Sequence, residues 1–371
     1  MAIPRLAWAE ISSQALKNNI KVIREKIGSG VGVMAVIKAN AYGHGSVGVA
    51  KITESLVDRF GVSAVFEAVE LRRVGIKKPI VILGYTPPEN FEAIVDNDLV
   101  ATIKNLDVAK ILVSQARRKG KSVKVWVKVD SGMHRLGLEP EQVLYFVKKL
   151  KDLPNLEVEG IFTHFADVDG DLEFTEQQLN HFKKVVNELD REGVGVPIKS
   201  AAASGAIFGR AEAYFNMVRP GLSLYGVNPS KDIVWDERLQ SALEFKTEVT
   251  QIHELKSGES VGYGRAYKSK RPSRIATLAV GYGDGFRRAP YNWGRVLIKG
   301  EYAQLAGRVS MDQAAIDVTD IAKDIRVGDE VVLIGNSGDK VIKAEEVASI
   351  LQTSPYEVLV SLANRVTRIY R

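Results

Sequence analysis

The sequence predicts an α/β fold in which a (β/α)8 TIM-type barrel is followed by a mostly antiparallel β domain. From about residue 31, apolar runs rich in β-branched residues alternate with helical patterns, and eight such units occupy roughly 200 residues. After Tyr225 the pattern changes to runs that alternate apolar and polar residues between turns rich in Gly, Pro, Asn and Asp. The 371 residues are enough for one large domain and a smaller one.

Each predicted barrel strand is a short apolar run bounded by turn residues. In chain order these strands are VMAVIKA (33–39), GVSAVF (61–66), PIVILGY (79–85), LVATIK (99–104), VKVWVKVD (123–130), LEVEGIFTHF (156–165), VPIKSAAA (196–203) and FNMVRPG (215–221). Helical patterns such as 108–120 and 176–193 lie between them. A doubly wound open sheet is the competing topology, but no GxGxxG follows an early strand, and that motif marks the best-known use of the open sheet.

The second domain is predicted from runs with a period of two. Its strands are ALEFKTEVTQIHEL (242–255), SRIATLAVGYGDG (273–285), RVLIKGEYAQLAGRV (295–309), QAAIDV (313–318), DEVVLIG (329–335) and RVTRIYR (365–371). One helical segment, KAEEVASILQTS (343–354), is expected before the last strand. The domain boundary is expected near 226–240.

The composition excludes several classes of function. The chain has no cysteine, which excludes disulfides, thiolate metal sites and cysteine nucleophiles. Its five histidines do not take HExxH or another metal-ligand spacing, so no metal is expected. The formal net charge is +6, but basic and acidic residues are interspersed, so no nucleic-acid partner is expected. The absence of an apolar signal core and of a membrane-spanning run predicts a cytoplasmic protein with no membrane partner.

Polar side chains collect at the predicted carboxyl ends of the barrel strands, where such a barrel places its chemistry. Lys38 ends the first strand, His164 the sixth and Arg219 the eighth. The residues that follow the fifth and seventh strands are Lys128, Asp130, Arg135, Ser204 and Gly205. Taken singly, such a lysine is more often a rim residue and such a histidine more often structural. Their collection at one end of one barrel favours a functional site.

A lysine near an anion site suggests a particular cofactor. Ser204–Gly205 and Pro220–Gly221 follow the last two barrel strands and are small enough to let backbone N–H groups approach a phosphate, although ordinary turns explain them equally well. An amine facing a phosphate suits an aldehyde cofactor held as a Schiff base, namely pyridoxal 5'-phosphate (PLP). Lys38 must be neutral to attack, so nearby cations or desolvation should lower its pKa. The candidate cations are Arg135, Arg219 and Lys128.

Eight motifs occur in order along nearly the whole chain: AVIKANAYGHG (35–45), KVDSGMHRLG (128–137), GIFTHF (160–165), NMVRPGLSLYG (216–226), VGYGRAY (261–267), VGYGDG (280–285), AGRVSMDQ (306–313) and SPYEVL (354–359). Together they resemble the motifs of the alanine racemase family. The resemblance implies that a barrel of residues 10–230 binds PLP. It also implies that residues 231–371, joined by residues 1–9, form a β domain that supplies a second base.

The activity that the resemblance implies is PLP-dependent racemisation of L-alanine and D-alanine, supplying D-alanine for peptidoglycan. Lys38 would carry PLP as a Schiff base and act as one acid/base. Tyr263 would be the second base and would reach the cofactor of the partner subunit, so the protein would be a homodimer with composite active sites acting on a small amino acid. Two bases on opposite faces of the substrate remove and return the Cα proton without one base having to cross the plane.

The resemblance also implies supporting residues. His164 and Arg219 would support catalysis, and Arg219 would donate to the pyridine nitrogen. Arg135 would contact the phenolic oxygen and the substrate carboxylate, and Lys128 matches a position that is often carbamylated, where its negative charge would steady Arg135. The phosphate ligands would be Tyr42, Ser204, Gly221, Leu222 and Tyr356. The substrate side would be lined by Met311 and Asp312 of the partner, with Tyr282 at the entrance.

Two positions have no firm role. Ala203 stands where many relatives have asparagine, which leaves one contact near the cofactor and the breadth of substrates open. His44 is expected to stabilise its loop.

The alternatives to an alanine racemase are a broader amino-acid racemase acting on alanine and serine, a barrel-type PLP decarboxylase and a non-catalytic PLP-binding protein. Arg219 argues against the decarboxylase, because an acid is expected there at the pyridine nitrogen. The second domain argues against a pure carrier.

Overall fold

Strands and helices alternate along the first part of the chain. The computed structural model describes residues 5–289 and 292–371. The strands are β1 Ala7–Ile11, β2 Gly32–Val36, β3 Arg59–Val62, β4 Ile80–Ile82, β5 Val100–Ile103, β6 Val123–Lys128, β7 Leu156–Phe162, β8 Ile198–Ser200 and β9 Met217–Val218. The helices are α1 Ser13–Ile27, α2 Lys38–Tyr42, α3 Ser46–Thr53, α4 Val65–Arg73, α5 Phe91–Asp96, α6 Leu106–Arg118, α7 Pro140–Lys151, α8 Leu172–Arg191 and α9 Ser204–Ile207. Of these, α2 is a short turn with left-handed rather than α-helical backbone. Short 3₁₀ helices lie at Glu54–Leu56, Pro88–Asn90, Ala211–Ala213 and Leu222–Tyr225.

Strands β2 to β9 form a closed barrel. Each strand from β2 to β7 pairs in parallel with the next, and β9 pairs in parallel with β2. The chain segments that follow β8 and β9 are joined by a parallel bridge between Ala203 and Arg219, in which the Arg219 N–H donates to the Ala202 carbonyl over 2.9 Å. Eight parallel strands alternating with helices confirm the predicted (β/α)8 barrel.

The second barrel strand ends earlier than predicted. The pattern of residues 61–66 predicts a strand, but β3 ends at Val62 and α4 begins three residues later. The reason is the carboxylate of Glu67, whose Oε2 accepts hydrogen bonds from the backbone N–H of Ser63 over 2.7 Å and of Ala64 over 3.1 Å. A glutamate in the first turn of a helix that reaches back to these N–H groups stabilises the helix start and ends the strand.

The inside of the barrel is filled by large apolar side chains. Its central cluster consists of Met34, Val81, Val100, Trp126, Phe162 and Met217. Trp126 is fully buried, and its indole N–H donates to Glu159 Oε2 over 3.0 Å. A Cβ added to Gly160 would lie 2.3 Å from the indole ring. The packing of Trp126 therefore requires glycine at position 160.

We expect Gly160→Ala to lower the free energy of unfolding by about 1–3 kcal/mol or more, because either the indole or the β7 backbone must move to accept the methyl group. Gly30→Ala is the matched control, since nothing lies within 4 Å of a Cβ added there. Chemical unfolding followed by tryptophan fluorescence measures both variants. Equal stabilities of the two would contradict this account of the barrel core.

The second part of the chain is rich in antiparallel strands. They are β10 Leu243–Leu255, β11 Ser260–Val261, β12 Tyr267–Lys268, β13 Ser273–Leu278, β14 Arg295–Ile298, β15 Glu301–Leu305, β16 Ala314–Asp317, β17 Glu330–Ser337, β18 Lys340–Ile342 and β19 Thr367–Tyr370. The remaining helices are α10 Ala344–Ile350 and α11 Pro355–Val360, with 3₁₀ helices at Tyr263–Arg265 and Tyr282–Asp284. No helix in the described ranges is long and apolar enough to cross a bilayer.

The described residues form two compact units, one from residues 16–41 and 46–240 and the other from the described part of 1–15 with 42–45 and 241–371. The second unit contains a nine-stranded sheet in the order β18-β17-β14-β15-β16-β13-β10-β1-β19. Strand β1 pairs antiparallel with β10 and parallel with β19, and the other pairs are antiparallel. The predicted antiparallel β domain is therefore confirmed. The prediction of a single helix before β19 is wrong, because α11 begins at Pro355, in the first-turn position that proline favours.

Candidate active site

Lys38 lies just beyond the carboxyl end of β2 and is half-buried. The next four residues, Ala39 to Tyr42, have φ between 51° and 53°, which is left-handed backbone. For residues other than glycine this conformation costs roughly 1–2 kcal/mol each. The Ala39 N–H donates to Glu67 Oε1 over 2.6 Å, which helps to hold the turn. Strain held in this way is typical of functional sites.

Arg219 follows β9 directly and is buried. Its Nη1 donates to Ser200 Oγ over 2.6 Å, and its Nη2 donates to the carbonyls of Thr163 over 2.6 Å and Ala201 over 3.2 Å. These bonds fix the plane of the guanidinium, and among the described residues none accepts from its Nε or forms an ion pair with it. Burial lowers the pKa of Arg219 to about 9, so the group stays charged at neutral pH. A buried cation of this kind favours an anionic or hydrogen-bond-accepting ligand.

The cationic groups of Lys128 and Arg219 both lie over the ring of Phe162. The ring centre of Phe162 is 5.9 Å from Lys128 Nζ and 5.3 Å from the Arg219 guanidinium carbon. Burial, together with the charges of Arg135 and Arg219, lowers the pKa of Lys128 to about 8. A substantial fraction of this amine is therefore neutral at physiological pH.

His164 follows β7 and is in the same positive environment. Burial lowers its pKa to about 3, and the charges of Arg219, Lys128 and Arg135 act in the same direction. The imidazole is therefore neutral at physiological pH and can accept or donate a hydrogen bond without carrying charge.

The charges around Lys38 oppose one another. Burial lowers the pKa of Lys38, the guanidinium of Arg135 lowers it further, Glu67 raises it, and Arg219 lowers it again. The net result is a lowered pKa, as the sequence predicts for a lysine that must be neutral to react. Arg135 itself is exposed, on a loop shaped by Asp130, whose Oδ1 accepts from the Gly132 and His134 N–H groups.

Ser204 joins the loops that follow β8 and β9. It is buried, and its Oγ accepts from the N–H of Gly221 over 2.8 Å and of Ser223 over 3.2 Å. Leu222, which lies between Gly221 and Ser223 in the sequence, is fully buried. The structure therefore brings three of the predicted phosphate ligands into one small region of the barrel unit, where Ser204 already has partners within the chain.

Tyr42 and Tyr356 lie together in the second unit. Their ring centres are 5.9 Å apart, and Tyr42 is buried. The loop after Tyr42 is held by Arg368, whose Nε donates to the Gly43 carbonyl over 3.0 Å, and by Tyr370, whose hydroxyl donates to the His44 carbonyl over 3.0 Å. His44 lies within this loop, and its Nδ1 is 3.0 Å from the Tyr42 carbonyl oxygen.

Tyr263, Tyr282 and Met311 are all large exposed side chains of the second unit, with 65%, 42% and 54% of their surface accessible. Large side chains left in solvent are candidates for contact with a ligand or a partner. The Arg288 guanidinium lies 5.8 Å from the ring centre of Tyr263.

The segments that carry Tyr282 and Met311 are fastened to each other. The Gly283 N–H donates to the Met311 carbonyl over 2.9 Å, and the Tyr282 N–H donates to the Ser310 carbonyl over 3.0 Å. Asp312 accepts from Arg365 Nη2 over 2.7 Å. These bonds place the predicted substrate-side residues on one rigid platform.

The platform is centred on a buried carboxylate that the sequence does not single out. Asp284 is fully buried and accepts from Arg5 Nε over 2.6 Å, Arg365 Nε over 2.7 Å and the Gly281 N–H over 3.0 Å. Burial raises the pKa of Asp284, but the two arginines lower it more, so the net shift is downward. No local sequence signal connects Asp284 to arginines so distant along the chain. Glu67 was missed for a similar reason, because Ala64 gives no capping-box signal before it.

Comparison with known proteins shows the family of this chain. The sequence profile "Alanine racemase, N-terminal domain" matches residues 11–229, and "Alanine racemase, C-terminal domain" matches residues 242–370. An alanine racemase of Methanococcus maripaludis is 44% identical over 368 residues, covering 98% of this chain and 98% of that protein.

Solved structures give the same result. The alanine racemase of Clostridium difficile 630 superimposes with a TM-score of 0.94 at 38% identity, covering 100% of this chain and 96% of that one. A histidine racemase from Leuconostoc mesenteroides superimposes with a TM-score of 0.91 at 29% identity, covering 100% and 99%. Both profiles and the full-length relative show that this chain belongs to the alanine racemase family and is an isomerase that acts on amino acids.

Proposed function

We propose that this chain interconverts L-alanine and D-alanine with PLP as its cofactor, using Lys38 and Tyr263 as the two bases. The observation that carries the proposal is the lysine at the carboxyl end of β2, whose pKa is lowered by burial and by neighbouring arginines. Substrate identity is supported by the alanine racemase of Methanococcus maripaludis, which aligns along 98% of this chain. In the family, D-alanine serves peptidoglycan synthesis, and we extend that role to this enzyme.

The residues of the barrel mouth fit PLP. Four basic residues act on one another's pKa values or on that of His164: Lys38, Lys128, Arg135 and Arg219. The acids that oppose them are Glu67, which acts on Lys38, and Asp130, which acts on Lys128. The excess positive charge suits a cofactor that carries a phosphate and a phenolic oxygen. The Arg219 Nε–H, which has no acceptor among the described residues, suits the pyridine nitrogen.

When bound, PLP withdraws electrons from the substrate Cα and makes its proton removable. Arginine keeps its proton at ordinary pH, so a pyridine nitrogen bound by Arg219 would stay a neutral acceptor, and the electron withdrawal would be limited. A weaker electron sink would disfavour side reactions. This choice favours racemisation over decarboxylation or transamination.

The chain's own groups divide the proton transfers. A neutral Lys38 amine can take or return the Cα proton on one face, and we assign the other face to the Tyr263 hydroxyl of the partner subunit. Arg135 binds the substrate carboxylate through its guanidinium. His164, neutral because of its lowered pKa, supports the second base by hydrogen bonding.

Further residues bind the cofactor phosphate and the substrate. We assign the phosphate to Tyr42, Ser204, Gly221, Leu222 and Tyr356. Met311 and Asp312 would line the substrate side from the partner, with Tyr282 at the entrance. The working enzyme is therefore a homodimer in which residues 231–371, with 1–9, complete the site of the other barrel.

Lys128 is proposed to be carbamylated. Its neutral amine, made accessible by a pKa of about 8, adds carbon dioxide and releases a proton, and the resulting anion steadies Arg135. Protein equilibrated with ¹³C-labelled carbon dioxide should show a carbamate carbon in its NMR spectrum. At fixed dissolved carbon dioxide the signal should grow as pH rises through about 8, because the neutral fraction of the amine grows.

The control for Lys128→Ala is Lys124→Ala, which removes an exposed lysine of the same strand. The carbamate signal should disappear in the first variant and persist in the second. A signal that survives Lys128→Ala would place the modification on another residue. The absence of any signal from the parent protein would rule out the proposal.

A second candidate function is racemisation of a different or wider set of amino acids. It is favoured by the histidine racemase of the same fold and by Ala203, a small residue beside Ser204. Chiral chromatography of purified protein with PLP and L-alanine, L-serine or L-histidine tests both functions. Alanine should converge on equal amounts of both enantiomers much faster than the others. A higher kcat/KM for serine or histidine would favour the second function, and no D-alanine at all would end the first.

A further inference from the structure

Glu67 is a buried carboxylate that connects two loops at the mouth of the barrel. Only 7% of its surface is exposed, although it lies in the first turn of α4. One oxygen, Oε2, accepts from the Ser63 and Ala64 N–H groups and starts the helix. The other, Oε1, accepts from the Ala39 N–H over 2.6 Å. The second bond leaves the helix and reaches the peptide directly after Lys38.

That peptide needs external support. Ala39 is the first of four consecutive residues with left-handed backbone, and none of the four is glycine. This conformation is unfavourable for residues other than glycine, so the turn persists only where its surroundings fix it. The bond to Glu67 is charge-assisted, which makes it one of the stronger hydrogen bonds available to a backbone N–H.

Glu67 also acts on the lysine through its charge. Among the groups that shift the pKa of Lys38, Glu67 is the acid, and it opposes Arg135 and Arg219. Removing this charge would leave the lysine among cations only. Geometry and charge therefore converge on the same residue.

We propose that Glu67 is a positioning residue for Lys38: its carboxylate fastens the left-handed turn after the lysine to the loop after β3, and so fixes where the amine enters the barrel mouth. The inference rests on the proposed role of Lys38 in cofactor binding and proton transfer. Glu67 need not touch substrate or cofactor. The alternative is that Glu67 only starts α4.

Glu67→Gln separates these roles. A glutamine amide has one oxygen, so it can keep the contacts that start α4, but its NH₂ group would then face the Ala39 N–H and offer no acceptor. Glu67→Asp keeps the charge but is one methylene too short to span both loops. Glu70→Gln is the matched control, since Glu70 is exposed on the same helix and its Oε2 lies 3.4 Å from Ser46 Oγ.

The first readout is amide hydrogen exchange in the full chain without cofactor, resolved to Ala39. We expect at least a roughly tenfold faster exchange of the Ala39 N–H in Glu67→Gln and Glu67→Asp, because its acceptor is lost. Glu70→Gln should leave it unchanged. Unchanged exchange in Glu67→Gln, or an equal increase in Glu70→Gln, would overturn the proposal.

The second readout is the pH dependence of acetylation of the Lys38 amine by acetic anhydride, followed by mass spectrometry. Its midpoint should move to lower pH in Glu67→Gln and move less in Glu67→Asp, which retains the charge. A midpoint that does not move in Glu67→Gln would contradict the charge component of the proposal.

The third readout is catalysis. Misplacement of Lys38 should lower kcat for alanine racemisation by roughly ten- to a hundredfold in Glu67→Gln, with a smaller change in KM. If the parent enzyme lacks racemase activity, the proposed function fails, while the first two readouts still decide whether Glu67 positions Lys38. A normal kcat beside a faster Ala39 exchange would overturn the catalytic significance of the bond.

Discussion

Lys38→Ala should abolish racemisation, lowering kcat for alanine by at least roughly 10⁴-fold. In the proposed function, the substitution removes both the covalent attachment point of the cofactor and one of the two bases, and a positioned base alone is worth roughly 10²–10⁴. Borohydride treatment followed by mass spectrometry should fix one PLP on Lys38 of the parent enzyme. The variant should gain no such mass at this site.

Lys104→Ala is the matched control for this experiment. Lys104 is exposed and follows β5 directly, at the same end of the barrel as Lys38. It should leave activity and covalent loading unchanged. A Lys38→Ala enzyme that keeps activity within tenfold of the parent would remove Lys38 from the mechanism.

Tyr263→Phe should lower racemisation in both directions by roughly 10²–10⁴-fold, the usual worth of a general acid or base. The change removes one oxygen from a side chain that is 65% exposed, so the free energy of unfolding should change by no more than about 0.5 kcal/mol. Activity loss without loss of stability is the expected signature. Tyr145→Phe, which alters an exposed tyrosine of α7, should change neither quantity.

The same variant should also become selective for one enantiomer. With Lys38 as the remaining base, one face of the substrate still exchanges its Cα proton with solvent, while the other face does not. Proton NMR in D₂O should therefore show loss of the Cα signal from one alanine enantiomer, with almost no conversion to its mirror image. Equal loss of racemisation and of exchange for both enantiomers would contradict the assignment of Tyr263 to one face.

The barrel was predictable from the sequence because its strands are short apolar runs, and the ends of parallel strands meet on one side of a barrel. That geometry places Lys38, His164 and Arg219 together without knowledge of the side-chain contacts. The second barrel strand ends earlier than predicted, and the cause is local. Residues 61–66 are apolar enough for a strand, and the hydrogen bonds that stop it come from Glu67.

Other features depend on contacts that a single sequence does not contain. The left-handed turn of Ala39 to Tyr42 has no glycine or Asn-Gly signal, and its conformation is fixed from outside by residues such as Glu67. Asp284 meets Arg5 and Arg365 only after folding of the second unit. Sequence patterns therefore identify candidate catalytic residues more readily than the residues that position them.

In the proposed mechanism, two different groups handle the Cα proton on opposite faces of the substrate. The most direct test is to convert unlabelled L-alanine in D₂O and to analyse the D-alanine formed in the first few per cent of reaction. Two bases predict deuterium at the Cα of nearly all this D-alanine, because the second base delivers a proton that has exchanged with solvent, while the remaining L-alanine stays unlabelled. D-alanine that retains its original protium would mean that one group carries the proton across, and would contradict the paired roles of Lys38 and Tyr263.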